Sequence, residues 1–333
     1  MKKNIVVIFG GNNSEHDVSL NSAKNVVDAI DVNKYDVINV AILKNGNWII
    51  GEDAEGYLNS KQDNFGDRND ISEFVKMAEN IDLVMPILHG EYGEDGRLQG
   101  FLDILNIKYV FSNHTAHAIA MDKARSKIVT ATEGVRIISG AVLGKDEGYD
   151  LQELVVDIGF PVFIKPNSAG SSVGISKVEK ESDLESAIEK AFLHSDKVLI
   201  EKNIVGRELT VGIIELNGKK EVLPIVEIIP KTESWYDYEA KYADGGSEHI
   251  CPAKISSDVE KIVKEYAEKS FDAIGCKDLA RVDFLLDEKN EDVYFLEINT
   301  IPGMTSTSLV PDAAREAGIP FEQLINNLIG NNL

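Results

Sequence analysis

The stretch ARVDFLLDEKNEDVYFLEINTIPGMTSTS, residues 280–308, decides the fold, because it predicts a β-hairpin that carries acidic side chains on both strands. Apolar residues occupy alternate positions in VDFLLD and in VYFLEI, which is the period-2 pattern of half-buried strands. This apolar set comprises Val282, Phe284, Leu286, Tyr294, Leu296 and Ile298. The polar loop DEKNED separates the two segments, so we expect them to pair as antiparallel neighbours.

The register of this hairpin brings two carboxylates together. If the turn is centred near Asn290, Asp283 lies opposite Glu297, and only shifts of two residues keep both apolar sets on one face. Arg281 and Asn299 then share the polar face with them. Opposed like charges destabilise a ladder unless a cation neutralises them, and these oxygen ligands suit Mg²⁺ or Mn²⁺. The alternative is an ordinary solvated acidic face.

The segment that follows the hairpin favours the metal site over the solvated face. PGMTSTS, residues 302–308, supplies backbone N–H groups and hydroxyls immediately before a predicted helix. Such a segment binds anions well, because the first N–H groups of a helix have no partner within the helix. The hairpin and this segment together therefore predict a cation and an anion held side by side.

Composition narrows the class of protein. The chain has 333 residues, which suits two or three domains, and its formal charge of -22 argues against a nucleic-acid partner. A nucleotide remains possible, because it needs only a local cluster of basic residues. Two cysteines, Cys251 and Cys276, form no disulfide framework, which fits the cytoplasm. MKKNIVVIFGG predicts a first buried strand, and no apolar run is long enough to span a membrane.

The order of elements predicts three segments with different architectures. Residues 1–111 alternate strands and helices, which is typical of an α/β unit with a largely parallel, Rossmann-like sheet. Residues 112–195 begin with one helix over AIAMDKARSKIVTATEG and continue with the strands FPVFIKP and GISKVE. Residues 196–333 contain several strands, a helix over SDVEKIVKEYAEKSFDAIG, and the hairpin.

Two segments have the composition of a nucleotide site. NSAGSSVG, residues 167–174, is rich in small residues with free amides and hydroxyls, and Lys165 ends the strand that enters it. VLIEKNIVGREL places Glu201 and Lys202 at the end of an apolar strand, with Glu208 shortly after. A plain hairpin turn and a strand with solvated end charges are the respective alternatives.

Three further features have equally open interpretations. HGEYGEDGRLQGFL follows a buried strand through a glycine-rich loop, so His89 is placed to reach a substrate, and His16 lies in a similar loop. A single histidine, however, is more often structural. The long loop KTESWYDYEAKYADGGS gathers aromatic residues around Lys241 and Tyr242, which predicts either a lid or a surface loop pinned by its aromatics.

Eight segments, taken in order, resemble the D-alanine–D-alanine ligase family of ATP-grasp enzymes. They are GGNNSEHDVSL, LHGEYGEDGRLQGFLDILNIKYVFS, MDKARSK, KPNSAGSSVGISKV, IEKNIVGREL, WYDYEAKY, ARVDFL and EINTIPGMTSTSLVP, and they span almost the whole chain. The resemblance implies a three-domain ATP-grasp fold, with an N-terminal Rossmann-like open sheet and two antiparallel sheets that grip ATP. It implies that ATP phosphorylates one D-alanine, whose acyl phosphate is attacked by the amine of a second.

The resemblance also implies a role for individual residues in nucleotide binding. Asp283, Glu297 and Asn299 would hold two Mg²⁺ ions. The residues implied at the phosphates and at the adenosine are Lys123, Lys165, Ser172 and the rest of the NSAGSSVG loop, Glu201, Lys202, Ile204 and Glu208.

The implied amino-acid sites draw on both ends of the chain. Glu15 would pair with the ammonium group of the first D-alanine, in a hydrogen-bonded set with Ser171 and Tyr242. Arg281 and the backbone N–H of Gly303 would stabilise the tetrahedral intermediate. The residues implied at the second D-alanine are Lys241, Ser308 and Leu309 for its carboxylate and, more loosely, His89 near its amine.

Alternatives remain open for the second substrate and for the class of protein. Tyr242 favours an amino acid over D-lactate as the second substrate, whereas D-serine stays open beside D-alanine. A non-catalytic nucleotide-binding protein of the same fold would be expected to lack part of the metal set, Lys165 or Arg281, all of which are present. The resemblance implies a homodimer.

Departures from the family pattern are VRIIS, which lacks the usual proline, and Trp235, where Phe is more common.

Overall fold

The computed structural model describes residues 2–148, 158–170, 173–216, 218–230, 247–305 and 307–333. These residues form three sheets with helices packed against them. The architecture is that of a mixed α/β protein, as the sequence predicts. Among the described residues, every helix is too short or too polar to cross a lipid bilayer.

The first sheet has four strands in the order β3-β2-β1-β4. They are β1 (Lys3–Gly10), β2 (Tyr35–Ile42), β3 (Trp48–Ile50) and β4 (Leu83–Ile87). Strand β1 runs parallel to β2 and β4, while β3 is an antiparallel edge strand. The helices of this unit are α1 (His16–Ala29), α2 (Glu52–Ser60), α3 (Ile71–Lys76), a short 3-10 turn (Ala78–Asn80) and α4 (Arg97–Ile104). The predicted Rossmann-like sheet and its buried first strand are confirmed.

The second sheet is antiparallel, in the order β5-β8-β6-β7. Its strands are β5 (Gly140–Gly144), β6 (Val162–Pro166), β7 (Ser176–Val178) and β8 (Lys197–Lys202), and helix α7 (Leu184–Phe192) follows a 3-10 turn (Glu181–Asp183). The sequence prediction assigns β8 to the segment 196–333, whereas the structure pairs it with β5 and β6. We therefore propose that the second unit extends through Lys202.

The third sheet follows the order β12-β11-β9-β13-β14, with β10 paired to β9. Its strands are β9 (Gly206–Leu216), β10 (Lys219–Val222), β11 (Val226–Pro230), β12 (Ser247–Ile250), β13 (Leu279–Asp287) and β14 (Asp292–Asn299). The helices that complete the chain are α5 (His114–Met121), α6 (Lys123–Thr132), α8 (Ser257–Ile274), α9 (Leu309–Glu316) and α10 (Phe321–Asn332). Residues of α5 and α8 share one buried apolar cluster with this sheet.

Capping residues set the helix ends. The sequence predicts a single helix over residues 118–134, but the structure has two, because Asp122 adopts an extended conformation between α5 and α6. Its carboxylate accepts the backbone N–H of Arg125, which makes Asp122 the N-cap of α6. Helix α8 matches its prediction, since Ser256 caps its start and Gly275, with φ 79°, ends it in the left-handed conformation.

The hairpin β13–β14 has the predicted register at its functional end. Asp283 pairs with Glu297, and Arg281 pairs with Asn299. The register then shifts by one residue, because Phe284 pairs with Phe295 on the other side of the bulge. Asp283 and Glu297 therefore face each other, although the ladder is not regular along its length.

Because of the bulge, the apolar face predicted for β14 is wrong at residues 294 and 296. Val293 and Phe295 are buried, at 2% and 0% exposure, whereas the predicted Tyr294 and Leu296 are only partly buried. The ring of Phe295 packs edge-to-face on Phe284, with 6.2 Å between centroids, and this contact fixes which face enters the core. Leu296, the extra residue in the bulge, lines the cleft instead.

Candidate active site

Two adjoining cavities open between the sheets, with volumes of ≈ 590 Å³ and ≈ 730 Å³. Lys123, Glu208 and Glu297 line both cavities and mark where they meet. The smaller cavity also contains the predicted site residues Glu15, His89, Arg281, Asp283, Asn299, Gly303, Ser308 and Leu309. The larger one contains the predicted residues Lys165, Glu201, Lys202 and Ile204. Every predicted site residue that the structure describes therefore lies in one continuous cleft.

Four predicted site residues lie outside the described residues. They are Ser171, Ser172, Lys241 and Tyr242. The predicted aromatic lid, which includes Trp235, also lies outside the described residues.

Asp283 is the centre of a hydrogen-bonded group on the polar face of the hairpin. Arg281 donates to both of its carboxylate oxygens, with Nε–Oδ1 at 2.9 Å and Nη2–Oδ2 at 2.8 Å. Asn299 Nδ2 donates to Oδ2 at 3.1 Å, and the hydroxyl of Thr210 on β9 donates to Oδ1. Thr210 is almost fully buried and was not indicated by any sequence motif. Its contact fixes the orientation of the carboxylate from the neighbouring strand.

Glu297 connects the hairpin to the glycine-rich loop through Lys123. The Lys123 ammonium lies 3.0 Å from Glu297 Oε2 and donates to the carbonyl oxygen of Ala169 at 2.9 Å. The two side chains are 13% and 25% exposed, so the ion pair faces the cleft. A cation therefore lies next to each of the two facing carboxylates, Arg281 at Asp283 and Lys123 at Glu297.

The donor set at this point fits a magnesium site that is completed by a substrate. No group of three or more His, Cys, Asp and Glu side chains within the described ranges is arranged to hold a metal by itself. Asp283, Glu297 and Asn299 provide two carboxylates and one amide at paired positions of the hairpin. Mg²⁺ is usually held by one or two carboxylates together with substrate phosphates, and this set matches that demand.

A buried charge network borders the larger cavity. Glu201, 1% exposed, accepts from Lys165 at 2.8 Å and lies 2.8 Å from the ammonium of Lys127. Burial by itself would raise the pKa of the Glu201 carboxyl, but these two ammonium groups outweigh burial and bring the pKa to about 2. Lys127 also donates to the carbonyl of Phe295 at 3.0 Å, so it joins the second sheet to the bulge of the hairpin.

Lys127 was missed by the sequence interpretation, although a signal existed. It lies four residues after Lys123 in MDKARSK, and positions i and i+4 of a helix project from one face. Lys123, Lys127, Lys165, Lys177 and Lys202 all line the larger cavity. This local concentration of cations suits phosphates in a chain whose formal charge is -22.

Glu15 occupies a space that two glycines leave open. A Cβ atom at Gly90 would lie 2.2 Å from Glu15 Oε2, and one at Gly170 would lie 2.6 Å from the same oxygen. The loop after β4 and the glycine-rich loop of the second sheet therefore approach one carboxylate from two sides. Glu15 itself is 8% exposed and precedes α1, which places a buried negative charge at the wall of the smaller cavity.

The two histidines singled out in the sequence are both held by hydrogen bonds. His16 lies 2.6 Å from the Gly11 carbonyl and 2.8 Å from the Tyr57 hydroxyl, which favours a structural role. His89 Nδ1 lies 3.0 Å from the Ile301 carbonyl, and Nε2 lies 2.9 Å from Ser22 Oγ. Because the carbonyl requires a donor, His89 carries its proton on Nδ1. Both ring nitrogens are thus engaged with protein groups, and burial lowers the pKa of His89.

Glu94 is a second carboxyl group in the smaller cavity, and no motif singled it out. Its Oε2 accepts the Gly90 N–H at 2.9 Å, and its Oε1 accepts the Ile301 N–H at 2.9 Å. Burial raises the pKa of this carboxyl to about 8, and the neighbouring Glu15 carboxylate adds to the effect. Glu94 therefore joins the loop after β4 to the segment that follows the hairpin.

The start of α9 closes the smaller cavity. Ser308 is the N-cap residue, and its Oγ accepts the Thr305 N–H at 3.0 Å. Leu309 is the first residue of the helix, and both Ser308 and Leu309 line the cavity. Gly303 lies close by, since a Cβ there would approach Ser308 Oγ to 2.8 Å. A helix N-terminus facing the cavity favours a bound carboxylate.

Comparisons with known proteins agree with this architecture. Sequence profiles described as D-ala D-ala ligase N-terminus and D-ala D-ala ligase C-terminus match residues 4–112 and 137–330. The D-alanine–D-alanine ligase of Halalkalibacterium halodurans is 38% identical over 329 residues, covering 99% of each chain.

Two solved structures extend the likeness to three dimensions. The VanG D-Ala:D-Ser ligase from Enterococcus faecalis aligns with a TM-score of 0.83 and 32% identity, covering 99% of both chains. The D-alanine–D-alanine ligase from Bacillus anthracis, complexed with ATP, aligns with a TM-score of 0.79 and 30% identity, covering 98% of this chain and 96% of that one.

The fold and the cleft define the class as an ATP-grasp enzyme, in which two antiparallel sheets border one cleft. Within this class the chain belongs to the D-alanine–D-alanine ligase family, whose two profiles cover most of its length. It is thus an ATP-dependent ligase, as the resemblance of its motifs predicts.

Proposed function

We propose that the protein joins two D-alanine molecules at the expense of ATP, to supply D-alanyl-D-alanine for peptidoglycan precursors. A carboxylate oxygen of the first D-alanine attacks the γ-phosphorus, and ADP leaves. The amine of the second then attacks the acyl phosphate, phosphate leaves with that oxygen, and the amine loses a proton. One observation carries the proposal: a lysine-lined cavity meets, at Lys123 and Glu297, a second cavity that Glu15, Arg281 and the start of α9 line.

The larger cavity is the proposed ATP site. Lys123 and Lys165 would contact the phosphates, with Ser172 and the glycine-rich loop covering them. The residues proposed around the adenosine are Glu201, Lys202, Ile204 and Glu208, of which Glu201 is held by two lysines. Lys165 would then share its charge between Glu201 and a phosphate, which supports a position at the boundary between base and phosphates.

Asp283, Glu297 and Asn299 are the proposed ligands of two Mg²⁺ ions, and Mn²⁺ would fit the same donors. When bound, the metal would neutralise negative charge on the transferring phosphate. Arg281 and Lys123 contact these carboxylates, which supports a role for both side chains near the transferring phosphate.

The smaller cavity is the proposed site of both amino acids. Glu15 would bind the ammonium group of the first D-alanine, with Ser171 and Tyr242 completing its hydrogen bonds. Its position supports this role, because Gly90 and Gly170 leave room for the carboxylate at the wall of the smaller cavity, where a small cationic group can meet it.

The second amino acid is proposed to bind at the start of α9. Ser308, Leu309 and Lys241 would hold its carboxylate, with the helix N-terminus adding a favourable dipole. Arg281 and the N–H of Gly303 would stabilise the oxyanion of the tetrahedral intermediate. His89 fits a direct role at the attacking amine poorly, because both of its nitrogens bond to protein groups.

A D-alanine–D-serine ligase is the second candidate, favoured by the structural likeness to the VanG enzyme. Tyr242 disfavours D-lactate. An acceptor competition separates these candidates: the protein is incubated with ATP, Mg²⁺ and equal amounts of D-alanine, D-serine and D-lactate, and the products are resolved by mass. We expect D-alanyl-D-alanine to dominate. Predominant D-alanyl-D-serine would establish the alternative, and phosphate release without any product would refute the ligase proposal.

We further propose that the enzyme is a cytoplasmic homodimer, as the family resemblance implies. The proposal is checked by light scattering of the eluting protein on a sizing column. We expect about twice the mass of the 36.6 kDa chain. A mass equal to that of one chain at assay concentrations would refute the dimer.

A further inference from the structure

The segment that follows the hairpin is bonded to the N-terminal unit at three of the four peptide groups between Thr300 and Met304. Glu94 accepts the N–H of Ile301, and His89 donates to the carbonyl of the same residue. Ser22 Oγ accepts the N–H of Met304 at 3.3 Å and also contacts His89 at 2.9 Å. Glu94, His89 and Ser22 therefore form one clamp, in which α1 and the loop after β4 grip the segment.

The clamp brackets the N–H of Gly303. The peptide groups on either side of Ile301 are held by Glu94 and His89, and the peptide between Gly303 and Met304 is held by Ser22. The intervening Pro302 has its φ fixed by its ring, so only one soft dihedral separates the held Ile301 carbonyl from the Gly303 N–H. The orientation of that N–H is therefore set by residues of a different unit.

The clamp is also built into the core. Ser22, Ile301 and Met304 are at most 1% exposed and His89 is 3% exposed, so water does not compete for these bonds. Glu94 uses both carboxylate oxygens, the second on the N–H of Gly90 beside Glu15. One side chain thus ties the wall of the Glu15 site to the segment that carries Gly303.

We propose that Glu94 is a positioning residue that, with His89 and Ser22, aims the Gly303 N–H at the oxyanion formed during ligation. This inference rests on the proposed function, since it assigns Gly303 the role of oxyanion donor. Glu94 acts through the Ile301 peptide and touches no reacting atom. A displacement of about 1 Å in a catalytic donor costs roughly 100-fold in rate, which sets the scale of the effect.

Glu94→Gln tests the clamp at pH 9, above the pKa of about 8 of the Glu94 carboxyl, because the ionised carboxylate accepts both N–H groups whereas an amide offers one acceptor. We expect kcat for dipeptide formation to fall about 10- to 100-fold, while the affinity for ATP measured by calorimetry stays within twofold of wild type. Deuterium exchange of the peptide containing residues 300–304 should accelerate. Glu91→Gln, in the same loop with an exposed carboxylate paired to Arg97, should match wild type in every measurement.

Each outcome decides the proposal. Unchanged exchange at residues 300–304 in Glu94→Gln would refute the clamp, and faster exchange with unchanged kcat would refute the positioning role. If Glu94→Gln does not fold, Glu94→Asp replaces it, since the shorter carboxylate reaches one N–H but not both, and the same two results decide. Failure of the wild-type protein to form dipeptide would refute the proposed function instead, while the exchange result would still report on the clamp.

Discussion

Glu297→Gln separates the role of the facing carboxylates in phosphoryl transfer from their role in the fold. The side chain of Glu297 is partly exposed and forms an ion pair with Lys123, at 3.0 Å, that faces the cleft. Pairs of this kind contribute about 1 kcal/mol or less to stability, and the amide keeps one acceptor for Lys123. We therefore expect the free energy of unfolding in urea to change by no more than about 1 kcal/mol.

The effect on turnover should be far larger. Removal of one group that stabilises charge in a transition state costs about 3 to 4 kcal/mol, or roughly 10²- to 10³-fold in kcat. The assay is ADP release at saturating ATP and D-alanine, repeated over a range of Mg²⁺ concentrations. Glu288→Gln, an exposed position in the loop of the same hairpin, is the matched control and should behave as wild type. A Glu297→Gln enzyme within threefold of wild type at all Mg²⁺ concentrations would refute the metal role of this carboxylate.

Two further substitutions test the Glu15 site and one buried histidine. Gly90→Ala places a Cβ 2.2 Å from Glu15 Oε2 and should raise the KM for D-alanine by about tenfold or more. Gly66→Ala is the control, because Gly66 also has a positive φ but has open space around it, and this variant should leave KM unchanged. Equal KM values in the two variants would contradict the Glu15 assignment. Burial lowers the pKa of His117, on α5, to about 3, whereas the histidine of the unfolded chain has a pKa near 6.5. The unfolded chain therefore takes up a proton that the fold does not, and the fold loses about 1 kcal/mol from this group between pH 7.5 and 5.5. His117→Asn should remove that part of the pH dependence in urea unfolding, and an undiminished dependence would contradict this account.

The hairpin shows what a sequence pattern specifies and where it stops. Alternation and the centre of the DEKNED loop were enough to place Asp283 opposite Glu297. They were not enough to predict the bulge, because Phe295 and Leu296 are both apolar and either one satisfies the pattern. The choice depends on the Phe284 ring across the strand and on the cleft beside Leu296, which are tertiary features.

The residues that the sequence interpretation missed act at a distance along the chain. Glu94 bonds to Ile301, and Lys127 pairs with Glu201 and with the carbonyl of Phe295. Local motifs report neighbours within a helix or a hairpin, whereas these contacts join separate units. The same reason explains why β8 was assigned to the third segment, since its partners β5 and β6 are known only once the sheet is formed.

The most direct test of the account follows oxygen from substrate to product. D-Alanine labelled with ¹⁸O in both carboxylate oxygens is incubated with unlabelled ATP and Mg²⁺, and the released phosphate is analysed by mass. An acyl phosphate intermediate transfers one carboxylate oxygen to phosphorus, so the account predicts one ¹⁸O in each phosphate released per dipeptide formed. Unlabelled phosphate accompanying D-alanyl-D-alanine would contradict it.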